Sequence, residues 1–479
     1  MPSARDGNGS GNGGEAGDAA ADGGAPPPAG VFSRFLKLSR LSTTMSASYA
    51  LSRARNLFSR GGAKAVAREA ETHASNAFRV LETLGELKGA VMKLGQVLSI
   101  QEDAVPKEFR DILAKLQTQA PPMHPAYAVS IVEGELGRKI DDLYEEFERK
   151  PFAAASLGQV HGARLKGTGE PVVVKVQYPG IDETIESDLK LAAPIVKAVA
   201  FASKSYDMRE MLEEVEARLK EEVDYLQEAR NQETLREALA DVPDIVVPRV
   251  FRTHTTRRVI TMERLDGLHL DAFCEAVKDP VRRNTAALKL SDVLWRMQVD
   301  IGILHADPHP GNFLFLADGR IGLLDFGCVK VFPDAFIRNY VTLIRHALRN
   351  DDEAILDTYE RMGFLTAEER RTNARLVDGW LEWTHLSCTG LLEDREFPDP
   401  ARGESWAKFV TDLHDCLNRL VFTVGTYTPR DAVYLNRVTL GIMCFWSRMD
   451  VRANWHRTMM RHLEAAERRL GIDHPAGGR

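Results

Sequence analysis

Apolar residues recur every three or four positions within the segment 81–100, which is the spacing of one face of an α-helix. The residues on this face are Leu84, Leu87, Val91, Leu94 and Leu98. Lys93 and Gln96 are three positions apart, so we expect both side chains to flank the apolar stripe on the same side. A lysine and a glutamine on a helix are usually solvated surface, so this pair becomes informative only together with the rest of the chain.

Two later segments, 160–165 and 171–176, are rich in β-branched residues, and the connection 166–170 contains two glycines. This pattern predicts two antiparallel strands joined by a turn. We expect the small-residue segment 153–158 to form a loop before the first strand, whose backbone N–H groups are open to phosphate oxygens. Lys175 lies at the end of the valine-rich strand, where a buried ammonium group needs an anionic partner such as phosphate or a helix carboxylate.

The charged stretch 207–231 also carries apolar residues at helical spacing, namely Met211, Val215, Leu219, Val223 and Leu226. On a helix, Asp224 and Glu228 would share one face, and Glu222 would lie about 120° around from Glu228. The ordinary alternative for this stretch is a solvated acidic helix face.

The most specific pattern is HADPHPGN at residues 305–312, followed by IGLLDFG at residues 321–327. An aspartate with an asparagine five residues later, and then an apolar strand that ends in Asp-Phe-Gly, is typical of kinases. In that arrangement Asp307 orients or deprotonates the attacking hydroxyl, while the oxygens of Asn312 and Asp325 hold Mg²⁺. A transition-metal cluster of His305, Asp307 and His309 is the alternative, but it leaves the rest of the pattern unexplained.

The composition is that of an ordinary globular protein, with 44% hydrophobic and 27% charged residues. The net charge of −7 disfavours a nucleic-acid partner. The five cysteines are scattered and include no C-x-x-C pair, which fits reduced thiols in a cytosol-like compartment better than disulfides or a zinc site. No apolar run reaches the roughly 18 residues that a membrane-spanning helix needs.

Both ends of the chain differ from its centre. Residues 1–30 are mostly Gly, Ala and Pro without an apolar stretch, so we expect a disordered tail and no signal peptide. The segment 31–70 is basic with interleaved Phe and Leu residues. It is either a membrane-surface segment or a basic helix packed on the acidic body. We expect residues 334–471 to form helices, the first of them at 334–350, and we interpret their tryptophans as core residues.

The stretch from about Leu84 to Lys330 resembles the UbiB/AarF family of atypical protein-kinase-like proteins. That family is associated with ubiquinone biosynthesis and isoprenoid-lipid handling in bacteria, mitochondria and plastids. Several motifs match in chain order: Lys93-Leu94-Gly95-Gln96 as the K-x-G-Q motif, 153–160 as the alanine-rich replacement of the kinase glycine loop, Lys175 as the strand lysine, Glu222-Val223-Asp224 as the E-x-D motif, Glu228 as the helix glutamate, and Asp307, Asn312 and Asp325 as the catalytic and metal positions.

The resemblance implies an α+β, two-lobed protein-kinase-like fold with an N-terminal helical extension that carries the K-x-G-Q motif and an enlarged helical C-lobe. The domains that we expect are a disordered tail (1–30), a basic amphipathic segment with the helical extension (31–145), an N-lobe with inserted helices (146–265) and a helical C-lobe (266–475). We expect a cytoplasmic protein, peripheral to the membrane at most.

The resemblance also implies the roles of individual residues. The catalytic residues would be Asp307, Lys175 and Glu228, and Asn312 and Asp325 would bind Mg²⁺. ATP or ADP would contact Ala153, Ala154, Ala155, Ser156, Gly158, Lys175 and the hinge residues Glu263 and Leu265. A family-specific gate would consist of Lys93, Gln96, Glu222 and Asp224. The partners implied are a nucleotide, a quinone or isoprenoid lipid, and a membrane surface through 31–70.

Two departures from ordinary protein kinases change the expected chemistry. Ala306 stands where those kinases have an arginine before the catalytic aspartate, and no A-P-E segment follows Asp-Phe-Gly. The platform that docks a protein substrate is therefore absent or rebuilt. We expect slow ATP hydrolysis, or phosphoryl transfer to a small molecule or lipid. The alternatives are a nucleotide-switched pseudokinase scaffold and a small-molecule kinase of the aminoglycoside or choline type, which does not resemble this sequence around Lys93 and Gln96.

Overall fold

The computed structural model describes residues 125–155, 158–178, 223–420 and 428–472. The predictions for the tail 1–30, the basic segment 31–70 and the helix within 81–100 lie outside the described residues.

A five-stranded antiparallel sheet forms the smaller lobe. Its strands are β1 (Tyr144–Phe147), β2 (Ala153–Ala155), β3 (Gly158–Leu165), β4 (Pro171–Gln177) and β6 (Val259–Glu263). Strand β5 (Ile245–Val246), which precedes β6 in the chain, belongs to the other lobe. The order across the sheet is β1, β3, β4, β6, and β2 pairs with β3 beside this path. The hairpin predicted from the two valine-rich segments is the β3–β4 pair.

The β3–β4 hairpin follows from its turn and from the alternation along β4. Gly167 and Gly169 have φ angles of 88° and 64°, a left-handed conformation that glycine adopts without a Cβ clash. Every second residue of β4 from Val172 to Val176 is fully buried. These valines share a core with residues of helix α1 (Pro125–Leu136) and of α2 (Ile140–Leu143), a single turn that follows it. One face of β4 therefore packs into the interior of the lobe.

Helix α3 (Tyr225–Ala238) covers the opposite face of β4. Its N-cap is Asp224, whose carboxylate accepts hydrogen bonds from the backbone N–H groups of Leu226 and Gln227 at 3.0 and 3.2 Å. The prediction that one helix carries both Asp224 and Glu228 is therefore wrong. The aspartate stabilises the helix start from outside the first turn, which is the position where its short side chain can reach free N–H groups.

The larger lobe contains two small sheets and most of the helices. The first sheet has the order β5 (Ile245–Val246), β10 (Ile321–Leu323), β9 (Phe313–Leu316), β7 (Gly267–Leu268), and the second pairs β8 (Ile303–His305) with β11 (Val329–Val331). The helices are α4 (Leu270–Ala276), α5 (Pro280–Trp295, continued by a π-helical turn Arg296–Asp300), α6 (Asp334–Leu348), α7 (Asp352–Met362), α8 (Ala367–Thr372), α9 (Ala374–Cys388), α10 (Trp406–Asn418), α11 (Arg430–Met449) and α12 (Trp455–Leu470).

One large apolar core holds this lobe together, and it also includes Leu235 and Leu239 from the end of α3. The helix predicted at 334–350 is α6, and the α+β class predicted for the chain is confirmed. Trp380 and Trp455 are almost completely buried, as predicted for core residues. The domain boundaries remain a prediction. Within the described ranges, no helix is long and apolar enough to cross a membrane.

A buried histidine ties α12 to α5. His462 Nε2 lies 3.0 Å from Asp292 Oδ1, and His462 Nδ1 lies 3.7 Å from Asp300 Oδ2. Burial alone lowers the pKa of His462, but the two aspartates outweigh burial and raise this pKa above its usual value. Arg461 also contacts Asp292, at 2.9 Å. The last helix is thus attached to the lobe by a charge network in addition to its apolar face.

Candidate functional site

Lys175 and Glu228 form a buried ion pair between the small sheet and α3. Lys175 Nζ donates to both carboxylate oxygens of Glu228, at 2.9 and 3.0 Å, and it lies 3.6 Å from Asp325 Oδ2. The two residues are only 8% and 4% exposed. Burial alone lowers the pKa of Lys175, but the carboxylates of Asp325 and Glu228 overcome this and hold its pKa well above the usual value. The ammonium group therefore stays charged beside two carboxylates.

Asp325 occupies a constrained turn after β10. Its φ angle is 55°, and its Oδ1 accepts a hydrogen bond from Gly327 N at 3.2 Å. Non-glycine residues in this conformation are uncommon and are concentrated at functional sites. The turn is fixed from both sides: His305 Nε2 bonds the Asp325 carbonyl oxygen at 2.8 Å, and Asn231 Nδ2 of α3 donates to the Phe326 carbonyl at 2.9 Å. The helix that carries Glu228 is thus also bonded to the Asp-Phe-Gly segment.

Asp307 and Asn312 lie together in the loop between β8 and β9. Asn312 Nδ2 donates to Asp307 Oδ2 at 2.8 Å, so the asparagine amide fixes the aspartate carboxylate. The Asn312 carbonyl oxygen accepts from Leu324 N at 2.9 Å, which joins this loop to the residue before Asp325. The two halves of the kinase-like pattern, which are separated in sequence, therefore meet at one place.

Sequence reasoning missed Arg437. Its Nη2 donates to Asp307 Oδ1 at 2.6 Å, so each carboxylate oxygen of Asp307 has a hydrogen-bond partner. Arg437 belongs to α11, and the same helix approaches the loop closely at Gly441, where an added Cβ would lie 2.5 Å from Pro308 Cγ. No local motif indicates this arginine, because only tertiary packing brings α11 to the loop.

The small-residue segment differs from the prediction. Ala153, Ala154 and Ala155 form β2 rather than a loop, and they lie opposite Val160, Gln159 and Gly158 of β3. The alanines gain ladder hydrogen bonds from the adjacent strand, which a purely compositional reading of the segment ignores. An added Cβ at Gly158 would lie 2.2 Å from the Val176 carbonyl oxygen, so this position has no room for a side chain. Ser156 lies outside the described residues.

The predicted hinge lies at the end of β6. Glu263 is the last residue of this strand, and its backbone N–H donates to the Arg249 carbonyl oxygen at 2.8 Å. Leu265 lies against β10, since an added Cβ at Gly322 would be 2.8 Å from Leu265 Cδ1. The hinge segment thus borders the strand that leads to Asp325, and its contact with adenine remains a prediction.

The gate cannot be assembled from the described residues. Lys93, Gln96 and Glu222 lie outside the described ranges. Asp224 lies inside them, and it is the N-cap of α3. A role for this group of four residues remains a prediction.

The donor set at Asp325 and Asn312 fits Mg²⁺ together with phosphate oxygens. Asn312 holds Asp307 through its Nδ2 atom and not through its amide oxygen. One carboxylate and one amide oxygen are typical of a magnesium ion that takes its other ligands from phosphates and water. The alternative transition-metal cluster is not found: among the described residues no group of three His, Cys, Asp or Glu side chains is arranged to hold a metal ion. The Nε2 atom of His305 instead bonds two backbone carbonyls.

Comparison with known proteins also indicates a kinase-like protein. Residues 115–359 match the model of the ABC1 atypical kinase-like domain. The chain is 33% identical over 305 residues to the mitochondrial atypical kinase COQ8 of Saccharomyces cerevisiae, which covers 62% of this chain and 59% of that protein. It is 33% identical over 288 residues to the chloroplastic protein ACTIVITY OF BC1 COMPLEX KINASE 3 of Arabidopsis thaliana, which covers 58% of this chain and 39% of that protein. The chain therefore spans less than two thirds of the length of either relative.

A solved structure is also similar. It is the complex of Rv3197 with erythromycin from Mycobacterium tuberculosis, with a TM-score of 0.58 and 28% identity. The similarity covers 81% of this chain and 96% of that chain.

Proposed function

This chain belongs to the ABC1 atypical kinase-like family, the UbiB/AarF group, and on that premise we propose that it binds ATP with Mg²⁺ and hydrolyses it slowly or transfers its phosphoryl group to a small molecule or lipid. Kinase-like proteins generally bind ATP with Mg²⁺. The observation that carries the proposal is the contact of Lys175 with both Glu228 and Asp325, at 2.9 and 3.6 Å.

This contact supports nucleotide binding because it joins the parts that phosphoryl transfer needs. A lysine whose charge is maintained by two carboxylates can neutralise the α- and β-phosphates. Glu228 positions Lys175 from α3, and Asn231 on the same helix bonds the Asp-Phe-Gly segment. A shift of α3 would therefore displace the lysine and the metal-binding aspartate together.

Asn312 and Asp325 are the residues that would hold Mg²⁺, whose chemistry is to neutralise charge on the transferring phosphate oxygens. Asp307, fixed by Asn312, is the candidate base that accepts the proton of the attacking hydroxyl or water. Backbone groups of β2 and of Glu263 and Leu265 are proposed to contact the nucleotide.

The short connection after Asp-Phe-Gly argues for a small substrate. Only Cys328 separates Gly327 from β11, which pairs with β8, and α6 then begins at Asp334. This connection leaves no extended segment on which a protein substrate could dock. We propose a quinone or isoprenoid lipid as the substrate class or activator, in line with the resemblance to the UbiB/AarF family. A peripheral membrane contact through 31–70 and a gate of Lys93, Gln96, Glu222 and Asp224 belong to the same proposal.

Arg437 favours a second candidate function, in which nucleotide acts as a switch on a scaffold without turnover. Its guanidinium occupies Asp307 Oδ1 at 2.6 Å. If this pairing persisted with nucleotide bound, Asp307 would have little access to an incoming hydroxyl. The protein would then bind nucleotide without hydrolysing it.

Phosphate release by the full chain separates the candidates. It is measured with ATP and Mg²⁺, with and without anionic liposomes and a short-chain quinone, for the native protein, Asp307→Asn and the matched control Asp318→Asn, which lies in the exposed β9–β10 turn. We expect release by the native protein and the control, and a loss of at least about a hundredfold in Asp307→Asn. Nucleotide binding without release by any variant supports the switch. Equal release by all three contradicts a role of Asp307 in turnover.

A further inference from the structure

The peptide group between Phe326 and Gly327 is held from both sides. Its carbonyl oxygen accepts a hydrogen bond from Asn231 Nδ2 of α3 at 2.9 Å, and its N–H group donates to Asp325 Oδ1 at 3.2 Å. Because a peptide group is one rigid, planar unit, a flip of this group breaks both bonds at once. The orientation of the Asp325 carboxylate is therefore linked to the Asn231 side chain.

The direction of the Asn231 amide group is fixed by its neighbours on α3. Arg230 Nε and Nη2 donate to Gln227 Oε1 at 3.1 and 2.8 Å. Because a guanidinium group can only donate, Gln227 presents its oxygen to Arg230 and its Nε2 atom to Asn231 Oδ1, at 2.8 Å. The Asn231 nitrogen then faces the Phe326 carbonyl, which can only accept. These hydrogen bonds all run in one direction, from the helix surface to the Asp-Phe-Gly segment.

Asp325 needs this support because its backbone is strained. Its φ angle of 55° is a left-handed conformation, which persists in a residue other than glycine only where the surroundings fix it. His305 of the larger lobe holds the carbonyl of Asp325 itself, at 2.8 Å. Asn231 holds the next carbonyl from α3, three residues after Glu228. Loss of Asn231 removes the hold from α3, and relief of the strain then favours rotation of the peptide that follows Asp325.

We propose that Asn231 is a positioning residue, which keeps the carboxylate of Asp325 in its metal-binding orientation and thereby sets the affinity of the site for Mg²⁺. The proposal rests on the proposed function in one respect, that Asp325 is a ligand of Mg²⁺. Asn231 acts through Asp325 and not through the nucleotide, since its amide nitrogen and oxygen are engaged by Phe326 and Gln227. If only a fraction of the molecules holds Asp325 correctly, the apparent dissociation constant for Mg²⁺ rises by the inverse of that fraction.

The affinity of the full chain for ATP tests the proposal when it is measured by calorimetry, first with a chelator and then at a series of free Mg²⁺ concentrations. The proteins compared are the native protein, Asn231→Leu, Asp325→Asn and the matched control Gln232→Leu. Gln232 is the next residue of α3, and its Nε2 atom donates to the Pro248 carbonyl at 2.7 Å. The control thus removes a bond of the same kind from the same helix, at a carbonyl outside the Asp-Phe-Gly segment.

Asn231→Leu is expected to raise the free Mg²⁺ concentration that gives half of the metal-dependent gain in ATP affinity by about threefold to tenfold, the usual effect of one lost hydrogen bond. Its affinity for ATP with the chelator should stay within about twofold of the native value, because Lys175 and Glu228 keep their contact. Gln232→Leu should keep the native Mg²⁺ requirement to within about twofold. Asn231→Ala, which removes the same amide group without adding volume, should repeat the result and replaces Asn231→Leu if that variant does not fold.

Hydrogen exchange tests the positioning role without metal or nucleotide. The amide hydrogen of Gly327 is protected while it is bonded to Asp325. Its exchange, followed by NMR of glycine-labelled protein, should be at least about threefold faster in Asn231→Leu than in the native protein or Gln232→Leu, because the peptide opens more often.

The outcomes separate the positioning role from the proposed function. A native protein whose ATP affinity does not depend on Mg²⁺, or an Asp325→Asn variant with the native Mg²⁺ dependence, would overturn the proposed function and this proposal with it. A native Mg²⁺ dependence or a native exchange rate of Gly327 in Asn231→Leu would overturn the positioning role alone. An equal change in Gln232→Leu would do the same, since it would trace the effect to general loosening of α3.

Discussion

Replacing Lys175 by methionine tests whether the ion pair with Glu228 is as tightly coupled as its geometry indicates. Methionine keeps most of the length and apolar volume of the lysine stem and removes only the charge. Glu228 would then be left 4% exposed without its cationic partner. Asp325 would also lose a neighbour, but 37% of its side chain is exposed, so water can replace the lost contact.

The expected cost is therefore set by Glu228. Removing one partner of a buried ion pair typically costs about 3–5 kcal/mol, whereas replacing both partners by apolar residues is often neutral or better. We expect Lys175→Met to lower the free energy of unfolding by about 3 kcal/mol or more. The double variant Lys175→Met/Glu228→Met should recover most of that loss, which gives a coupling energy of at least about 2 kcal/mol, increased by whatever Glu228→Met costs on its own.

The loss in the single variant should also depend on pH. Burial without Lys175 raises the pKa of Glu228 above its value in the unfolded chain. A group whose pKa is raised by folding contributes stability at low pH and loses it as the pH rises through the folded-state pKa. The single variant should therefore be closest to the native protein at mildly acidic pH and furthest from it at neutral and alkaline pH.

The assay is urea unfolding followed by circular dichroism for the native protein, both single variants and the double variant. The control cycle uses Arg419→Met and Glu382→Met, because this ion pair is about half exposed and should couple by no more than about 1 kcal/mol. Additive losses in the Lys175–Glu228 cycle would refute the reasoning, and so would a Lys175→Met variant as stable as the native protein at neutral pH.

Three further predictions concern other parts of the molecule. Gly158→Ala should destabilise the protein by about 1–3 kcal/mol, because its Cβ would collide with a main-chain oxygen of β4. The control Gly134→Ala, which places its Cβ in open space on α1, should not destabilise the protein. Equal melting temperatures of the two variants would contradict this prediction. The raised pKa of His462 predicts that the protein loses stability as the pH rises through this pKa. His462→Gln should therefore flatten the dependence of the melting temperature on pH. An unchanged dependence in this variant would contradict the prediction. Arg437→Met should lower phosphate release about tenfold or more with nucleotide affinity within about twofold, because Asp307 loses its orientation; faster release would instead show that the arginine inhibits turnover.

The sequence was most informative where chemistry and local geometry coincide. The strand that ends in Lys175 could be predicted from its valines, and a buried ammonium group there needs an anionic partner. The residues alone left phosphate and a helix carboxylate open as that partner, and Glu228 was indicated only by the family resemblance. The match from Asp307 to Asp325 could be found because the spacing of these residues is local. The hairpin turns at 166–170 and at Asp318-Gly319 carry glycines with positive φ, which leave a direct sequence signal.

Other features depend on contacts that no local pattern encodes. Asp224 fits a helix face by spacing, but competition for free N–H groups makes it a cap. The alanines at 153–155 have a loop-like composition and become a strand because β3 offers a pairing edge. Arg437 reaches Asp307 only through the packing of α11 on its loop. Trp446 fits the same apolar pattern as the buried tryptophans, and only the structure shows that its N–H group has no acceptor among the described residues.

The central claim is that Lys175, Asn312 and Asp325 surround one magnesium–nucleotide site. The most direct measurement is the melting temperature of the native protein, Asp325→Asn and Asp318→Asn with and without ATP, in the presence of either Mg²⁺ or a chelator. A ligand at about a hundred times its dissociation constant stabilises the folded state by about 2.7 kcal/mol. We predict a Mg²⁺-dependent rise for the native protein and Asp318→Asn, and no rise for an otherwise folded Asp325→Asn. An undiminished Mg²⁺-dependent rise in Asp325→Asn would contradict the claim.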